Sequence, residues 1–592
     1  MQTKKDRPKR LGPVAVVLTV LAACLAGWML LNLIVDPFGV FGDRVLGWWS
    51  YDMSFNSRTA KFSYLEQHHE EFDSYVIGGP SAGAWSTEAL ERYFGGRFYN
   101  LALSHDDMRD AEQYVRWLVG HYEVKNLVLS VTVENARTHA GDDRAITEAM
   151  PCQLDGSSPL AYYARYLFAS CCYGLNKLVR MGSDSVVPSF SDRFDAATGA
   201  IDYSDRDVEA IGAGSLEDYL ESNPGFTDLP DATGLLWQKE CVSSVAAIRD
   251  LCEGAEVNLV VVATPIYDGY LARFSRKEVE EFFTALGRVT PYWDFTSSSV
   301  SRDPRYFYDP TSFRTAVGEM MLARMFDGGA AYCPKDFGVY RTADSGPARI
   351  AQAAAQSEEE PYTAQVPILM YHHLRESTAS GDRLEEHLAA LKGAGYTAVT
   401  MEDLRSYVEK GRDLPDRPVV ITIDGGTGEL EDSLAILEKY DMQAVAFIMG
   451  CTAEEARALE DTGLVSIGCY GFDTSGEEGG NPPSGRQGVL QREGESEQDY
   501  GAFLRENCAR FREAMESAVG HRVEVLAYPG GQCSPLGEIL LAREGFFATV
   551  TTAPGVNTLV KGLPQTLRAM NRYDVEALDL TGEELLELLE QP

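Results

Sequence analysis

Three side chains that could take part in proton transfer follow two apolar runs of the sequence. Asp424 ends the run PVVITID, which a proline bounds on its amino side, and His372 and His373 follow the run PILMY. Carboxylates and imidazoles are common general acids and bases in enzymes. A carboxylate at a strand end can equally well cap the turn that follows it. The sequence leaves both roles open for Asp424.

Buried strands and covering helices must position such groups. Apolar runs alternate with amphipathic helical stretches along the first half of the chain, with runs at 74–79, 97–103, 126–133 and 257–266 and helices at 107–120 and 277–287. This alternation predicts a parallel sheet covered by helices. We therefore predict a doubly wound, three-layer α/β domain over residues 42–330, with ligands at the carboxyl ends of its strands.

Several blocks of this first domain resemble the SGNH-hydrolase-like proteins of bacterial envelopes. The blocks are DPFGVF, the turn IGGPSAG, FYNLALS and the final YFYDPTSF. The resemblance implies a nucleophilic Ser in the turn and an Asp-x-x-His block that activates it. Here Pro80 or Ser81 stands at the nucleophile position, and the last block has Asp309 but Ser312 in place of His. We predict a degenerate SGNH-like domain.

The second half carries blocks in a different order. PILMYHHL, DLPDRPVVITIDGG and AILEKYDMQAVAFIMG, within residues 365–576, resemble the polysaccharide deacetylase (NodB-homology) family, in particular its poly-N-acetylglucosamine branch. The resemblance implies an irregular (β/α) barrel with its site at the carboxyl ends of the strands. It also implies metal-assisted hydrolysis of N-acetyl amide bonds, with a divalent metal such as zinc held by one Asp and two His and a second Asp as base.

The family's motif positions are only partly kept. The base position is Asp424, but the metal-binding Asp is replaced by Gly425 and the two His positions hold Tyr470 and Ser475. We therefore predict no metal ligands and no cofactor. One alternative remains, a different zinc site made of Asp424, Cys469, Tyr470 and Asp473.

The resemblance also implies substrate contacts around the mouth of the barrel. Tyr528 and Pro529 begin the loop Tyr-Pro-Gly-Gly, which matches a family loop that approaches the substrate. Arg572 stands where the family commonly has an Arg before its last strand, and His372 occupies a rim position. We predict His372, Tyr528, Pro529 and Arg572 as substrate-binding residues, and Asp424 as the catalytic one.

Length and charge limit the remaining possibilities. A chain of 592 residues is too long for one core, and the segment 331–364, rich in small and charged residues, predicts a linker between two domains. The formal charge of -37 argues against a nucleic-acid partner. The end of the chain, 577–592, predicts a short acidic helix. Eleven scattered cysteines indicate no particular pairing.

The amino-terminal segment predicts a membrane helix. Residues 11–35 form an uncharged apolar run long enough to span a bilayer, and the basic segment 1–10 precedes it. Positive charge marks that side as cytoplasmic, which places the bulk of the chain outside. The alternative is lipoprotein processing at Cys24, which would also leave the protein tethered to a membrane.

Together these patterns predict a single-pass, extracytoplasmic polysaccharide deacetylase-like protein of cell-envelope or exopolysaccharide metabolism. Its partners would be an N-acetylated polysaccharide, the membrane and a polysaccharide synthesis or export complex. By fold it is a hydrolase of carbon-nitrogen bonds, and the lost motif residues predict that it is inactive. The alternative function is a carbohydrate-binding or scaffolding pseudoenzyme with no catalysis.

Overall fold

The computed structural model of the chain describes residues 12–47, 55–103, 107–138, 144–181, 194–209, 211–212, 215–229, 234–328, 331–348, 362–372, 378–448, 452–470 and 488–590. Its helices are α1 (Pro13–Val35), α2 (Ser57–His68), α3 (Thr87–Phe94), α4 (Met108–His121), α5 (Glu134–Arg137), α6 (Cys152–Asp155), α7 (Pro159–Leu167), α8 (Cys171–Met181), α9 (Ser204–Asp207), α10 (Leu216–Ser222), α11 (Gln238–Gly254), α12 (Asp268–Leu271), α13 (Arg276–Val289), α14 (Ser299–Arg302), α15 (Thr315–Met325), α16 (Thr378–Gly393), α17 (Met401–Lys410), α18 (Thr427–Tyr440), α19 (Ala453–Glu460), α20 (Glu497–Val519), α21 (Pro535–Arg543) and α22 (Gly582–Leu589).

Its strands are β1 (Ser74–Gly78), β2 (Phe98–Ala102), β3 (Asn126–Val131), β4 (Asn258–Ala263), β5 (Tyr292–Asp294), β6 (Phe307–Asp309), β7 (Ser312–Phe313), β8 (Val339–Arg341), β9 (Thr363–His372), β10 (Thr397–Ala398), β11 (Pro418–Gly425), β12 (Ala444–Ile448), β13 (Val465–Cys469), β14 (Val525–Ala527), β15 (Ala548–Val550), β16 (Val556–Val560) and β17 (Tyr573–Asp574). The chain divides into two compact units. Unit 1 comprises Met1–Ser183, Ser189–Asp202 and Leu236–Val261, and unit 2 comprises Asp184–Pro188, Tyr203–Leu235 and Val262–Pro592.

Unit 1 is built on parallel strands. β1 lies between β2 and β3 and pairs with both in parallel, and α4 packs against α11. The strands β1 to β4 and the helix α4 lie where the apolar runs and an amphipathic stretch predict them, and so does α13 of unit 2. The mixed α/β prediction is thus confirmed for this region, while the SGNH-like assignment stays a prediction.

The first helix of unit 1 is uncharged and predominantly apolar. α1 is long and apolar enough to cross a membrane, and its most apolar window is not buried inside the protein. A signal sequence near the amino terminus would pass the same test of length and composition.

Unit 2 contains a curled parallel sheet. Its strands lie in the order β15, β14, β13, β12, β11, β9 and β16, with β10 beside β11 and β17 beside β9. The strands from β15 to β9 run in parallel, whereas β16 runs antiparallel to β9. Helices α16 to α21 connect the strands, as in a (β/α) barrel, but the sheet is a curled half barrel with β15 and β16 at its edges among the described residues.

The alternation of side chains along β11 separates two cores. Ile421 and Ile423 pack in the core that also contains Leu388 of α16, whereas Val420 packs with Phe447 in the other core. Successive side chains of a strand point to opposite faces, so Thr422 and Asp424 lie on the face of Val420. Asp424 thus belongs to the face that also carries Phe447.

The segments predicted as a linker and as an acidic tail both contain regular structure. Part of the predicted linker, Val339–Arg341, forms β8 and pairs with β5 within unit 2. The predicted acidic tail is helical as expected: α22 packs against α16, with Leu585 buried and the Gly582 amide donating to Glu386. The predicted domain boundaries stay predictions, since the compact units divide the chain elsewhere.

Candidate functional site

The carboxyl ends of the parallel strands of unit 2 bring several predicted residues to one edge of the sheet. His372 ends β9, Asp424 lies at the end of β11, Tyr470 follows β13 and Tyr528 follows β14. The register pairs Asp424 directly with His372 across β11 and β9. The strand order thus places these four residues at the carboxyl ends of neighbouring parallel strands.

Asp424 forms a two-point ion pair with Arg572. The guanidinium Nη1 and Nη2 donate to the two carboxylate oxygens at 2.7 and 2.9 Å. Arg572 is fully buried and Asp424 is 6% exposed. A planar guanidinium that donates to both oxygens fixes the position of a carboxylate as well as neutralising its charge. Asp424 is therefore held in one orientation on the face of the sheet that carries Phe447.

Further contacts hold Arg572 itself. Its Nε donates to the carbonyl of Thr551 at 2.7 Å and its Nη1 to the hydroxyl of Thr422 at 3.2 Å. The guanidinium carbon lies 5.5 Å from the centre of the Phe447 ring. These contacts bury the guanidinium of Arg572 against Asp424, and its role in substrate binding stays a prediction.

Tyr470 lies close to this ion pair. Burial, with a smaller contribution from the Asp424 carboxylate, raises the pKa of the Tyr470 phenol. The phenol therefore stays protonated at neutral pH, and a neutral phenol is a poor ligand for a divalent metal. Ser475, the residue at the other predicted His position, lies outside the described residues.

The alternative zinc site loses one of its members. Cys469 is fully buried and packs in the core that contains Ile421, not on the face of Asp424. Asp473 lies outside the described residues. In the part of the chain that the structure describes, no group of three His, Cys, Asp or Glu side chains is placed to hold a metal ion.

His372 has two acidic neighbours. Its Nε2 lies 3.1 Å from both carboxylate oxygens of Asp574, and its Nδ1 lies 3.6 Å from Glu576. The imidazole is about a quarter exposed, so part of it faces solvent at the edge of the sheet. Its predicted partner at the rim, His373, lies outside the described residues.

Tyr528 turns away from this edge. It is fully buried, and its hydroxyl donates to Glu538 at 2.5 Å; burial, followed by that carboxylate, raises its pKa well above the ordinary range. Glu538 also accepts from the Thr549 hydroxyl at 2.6 Å, and Arg568 lies 3.4 Å away. The Tyr528 side chain is therefore engaged within the domain, and its contact with substrate stays a prediction.

The loop after Tyr528 depends on glycine. Pro529 is buried and begins a 3-10 turn in which Gly530 and Gly531 adopt φ values of 68° and 71°. A Cβ at Gly531 would lie 1.9 Å from the Thr552 hydroxyl oxygen, whereas one at Gly530 would meet nothing within 4 Å. The turn is tight on one side and open on the other.

We expect Tyr528→Phe to weaken the domain without changing any binding at the strand ends. Removal of the hydroxyl leaves a buried acceptor of Glu538 with one donor fewer, which costs about 1–3 kcal/mol. Hydrogen exchange of the β14 amides would measure this loss as a lower free energy of local opening. Tyr340→Phe, at a half-exposed tyrosine, serves as the control; equal protection in both variants would contradict the buried role.

A separate cavity of about 620 Å³ lies at the opposite end of the same strands. Glu524 and Phe547, which immediately precede β14 and β15, line it together with Arg405 and Gln565. These residues stand at the amino ends of the strands. The cavity is therefore distinct from the edge that carries Asp424.

The residues at the SGNH-like motif positions are described one by one, and the SGNH-like assignment stays a prediction. Pro80 and Ser81 lie in the 3-10 turn after β1, and Ser81 is 4% exposed. Asp309 is exposed and accepts the backbone N–H groups of Thr311 and Ser312, as a turn cap does. Ser81 belongs to unit 1 and Asp309 to unit 2.

The contacts between the site residues were not predicted from the sequence. Asp424 and Arg572 were predicted singly, and their separation of 148 positions contains no pattern that would pair them. The contacts of His372 with Asp574 and Glu576 were likewise not predicted. A charged residue inside an apolar strand was the available signal, because a buried charge requires a partner.

Comparisons with known proteins agree with the second half of the chain. The sequence model of the polysaccharide deacetylase family matches residues 411–538. The polysaccharide deacetylase-like protein YxkH of Bacillus subtilis (strain 168) is 25% identical over 210 residues. The match covers 34% of this chain and 69% of YxkH.

Three solved structures are also similar. The Streptococcus pyogenes deacetylase PplD, in complex with acetate, is 18% identical and covers 38% of this chain and 99% of its own, with a TM-score of 0.31. IcaB from Ammonifex degensii is 18% identical, and the match covers 38% of this chain and 97% of IcaB, with a TM-score of 0.31. The BpsB deacetylase domain from Bordetella bronchiseptica is 18% identical, and the match covers 36% of this chain and 95% of that domain, with a TM-score of 0.29. From the sequence matches, the C-terminal part of the chain is a polysaccharide deacetylase domain.

Proposed function

We propose that the protein is a membrane-anchored, extracytoplasmic member of the deacetylase-like proteins that binds an N-acetylated polysaccharide without hydrolysing it. The observation that carries the proposal is the set of side chains at the family's metal positions. Gly425 offers no ligand atom, Tyr470 is a half-buried neutral phenol, and Ser475 replaces the second His. The residues present do not fit a zinc ion, so the proposed function includes no metal-dependent step.

The remaining features of the site favour binding. A Cβ at Gly426 or Gly530 would meet nothing within 4 Å, so the strand ends leave open space where a sugar ring can enter. His372 is partly exposed beside this space and is held by Asp574. Asp424 is already engaged with Arg572, which supports a structural role in place of proton abstraction.

The location follows from the first helix. α1 is the proposed membrane span, and the basic residues that precede it favour a cytoplasmic amino terminus. The site would then face the outside, where envelope polysaccharides lie. A polysaccharide synthesis or export complex is the proposed partner.

Binding of a defined glycan tests the proposal. The full-length protein in detergent is titrated calorimetrically with a pentamer of N-acetylglucosamine, and acetate release is followed in the same samples. We expect binding without acetate release. Acetate release would overturn the proposal in favour of an active deacetylase, and absence of binding would overturn it altogether.

We expect His372→Ala to weaken that binding about tenfold, because a hydrogen bond to a charged or polarised group is worth about 1.5 kcal/mol or more. The matched control is His521→Ala. His521 is about half exposed and pairs with Glu460 away from the strand ends. Equal affinities of the two variants would remove His372 from the proposed site.

A further inference from the structure

Helix α7 of unit 1 carries an apolar face that the described protein leaves uncovered. Leu160 is 83% exposed and Phe168, which follows the helix, is 45% exposed. Ala161 is also exposed, and Ala164 and Leu167 are half-buried. These five residues have the spacing of one helical face, so they form a continuous apolar stripe along α7.

Helix α8 repeats this arrangement. Its exposed residues of low polarity share one face as well: Cys171, Cys172, Leu175, Leu178 and Val179, the last 75% exposed. Lys177 points inward instead, where its buried ammonium donates to the Asp36 carbonyl at 3.0 Å and lies 3.2 Å from the Asp43 carboxylate. The charge of Lys177 is thus turned away from this face.

Both helices pack against α1. A Cβ added to Gly174 of α8 would lie 3.8 Å from atoms of Leu31, Asn32 and Val35, so the two helices approach closely. The Trp28 indole donates to the Ala169 carbonyl at 2.7 Å, and the Asn32 amide donates to the carbonyls of Leu167 and Ala169 at 3.0 and 2.8 Å. The exposed apolar residues of α7 and α8 therefore belong to helices that pack directly against α1.

The contacts lie near one end of α1. A helix of 23 residues is about 35 Å long, against about 30 Å for the hydrocarbon core of a bilayer. The segment from Trp28 to Val35 is then at the outer boundary of the membrane, where tryptophan is favoured. Backbone groups at such a depth need partners within the protein. Trp28 and Asn32 supply these partners to the end of α7.

We propose that α7 and α8 lie in the outer interface of the membrane, with their apolar faces against lipid. The proposal rests on α1 as a membrane span, which is itself part of the proposed function. Soluble proteins seldom expose apolar patches of this size, and amphipathic helices beside a membrane span bury such faces among headgroups and acyl chains. The pair of helices fixes the orientation of unit 1 at the surface.

Photo-cross-linking in a bilayer tests the proposal on the full-length protein. The photoreactive amino acid p-benzoylphenylalanine replaces Leu160 or Val179 in separate variants, which are reconstituted in vesicles of phosphatidylethanolamine and phosphatidylglycerol. Leu236, a residue of unit 1 that is 77% exposed and lies outside α7 and α8, is the matched control. Leu21, 60% exposed in the middle of α1, reports on the membrane span.

We expect lipid adducts at Leu160 and Val179 about tenfold above those at Leu236, and comparable to those at Leu21. Adducts at Leu21 but only the control level at Leu160 and Val179 would overturn the interfacial placement and leave the membrane span intact. Adducts at none of these positions would overturn the span as well. Adducts between protein chains at Val179 would mean that a second protein covers this face instead of lipid.

Discussion

Replacement of Arg572 by Ala should lower the stability of the deacetylase domain by about 3–5 kcal/mol, because it leaves the buried Asp424 carboxylate without its partner. The guanidinium supplies both of the charged hydrogen bonds to Asp424, at 2.7 and 2.9 Å, and also the donor to the Thr551 carbonyl. Hydrogen exchange of the β11 and β12 amides, read by mass spectrometry, measures this loss within the domain that contains it.

Two further variants make the interpretation specific. Arg417 is about half exposed and lies 3.5 Å from Glu590, so Arg417→Ala should cost less than about 1 kcal/mol. The double variant Asp424→Leu with Arg572→Met removes both charges and should recover most of the lost stability. A loss in the double variant as large as in Arg572→Ala would show that shape, and not charge pairing, decides the effect.

Restoring the family's ligand types should create a zinc site at the strand ends. The triple variant Gly425→Asp, Tyr470→His and Ser475→His restores the ligand types of the deacetylase family around Asp424. We expect it to bind one zinc ion at least about 100-fold more tightly than the natural chain, because three protein ligands of these types make a catalytic zinc site. Calorimetric titration of the full-length proteins at neutral pH measures the difference.

The double variant that keeps Gly425 is the matched control, since it lacks the carboxylate ligand. Stoichiometric zinc binding by the natural chain, lost on Asp424→Asn, would contradict the proposed function. It would mean that other side chains have replaced the family's ligands, and hydrolysis of N-acetyl groups would then become the favoured activity. Weak binding by both variants and the natural chain would show that the restored ligands do not converge.

Both variants show whether the domain keeps the geometry of a deacetylase site after losing its metal ligands. If Arg572 holds Asp424 mainly for stability, the carboxylate can persist in a protein that no longer uses it as a base. If zinc binding returns with three substitutions, the strand ends still have the spacing of an active site. Together these outcomes would describe a domain that keeps the geometry of a deacetylase and has lost its chemistry.

Local sequence was sufficient to predict the main strands and helices around the site. The apolar runs before Asp424 and His372 became β11 and β9, because buried parallel strands require continuous apolar sequence. The uncharged run of residues 11–35 became α1 for a similar reason. The residue types at 425, 470 and 475 are also read directly from the sequence, and the prediction of lost metal ligands depends on them.

The contacts between side chains that are distant in the sequence could not be predicted in this way. The hydrogen bond from Tyr528 to Glu538 of α21 could not be predicted, because it depends on the packing of α21 against the sheet. The burial of Arg572 against Asp424 was likewise not predicted. Local sequence specifies strands and helices through nearby residues, whereas contacts between residues 148 positions apart depend on strand order and register, which the folded chain alone determines.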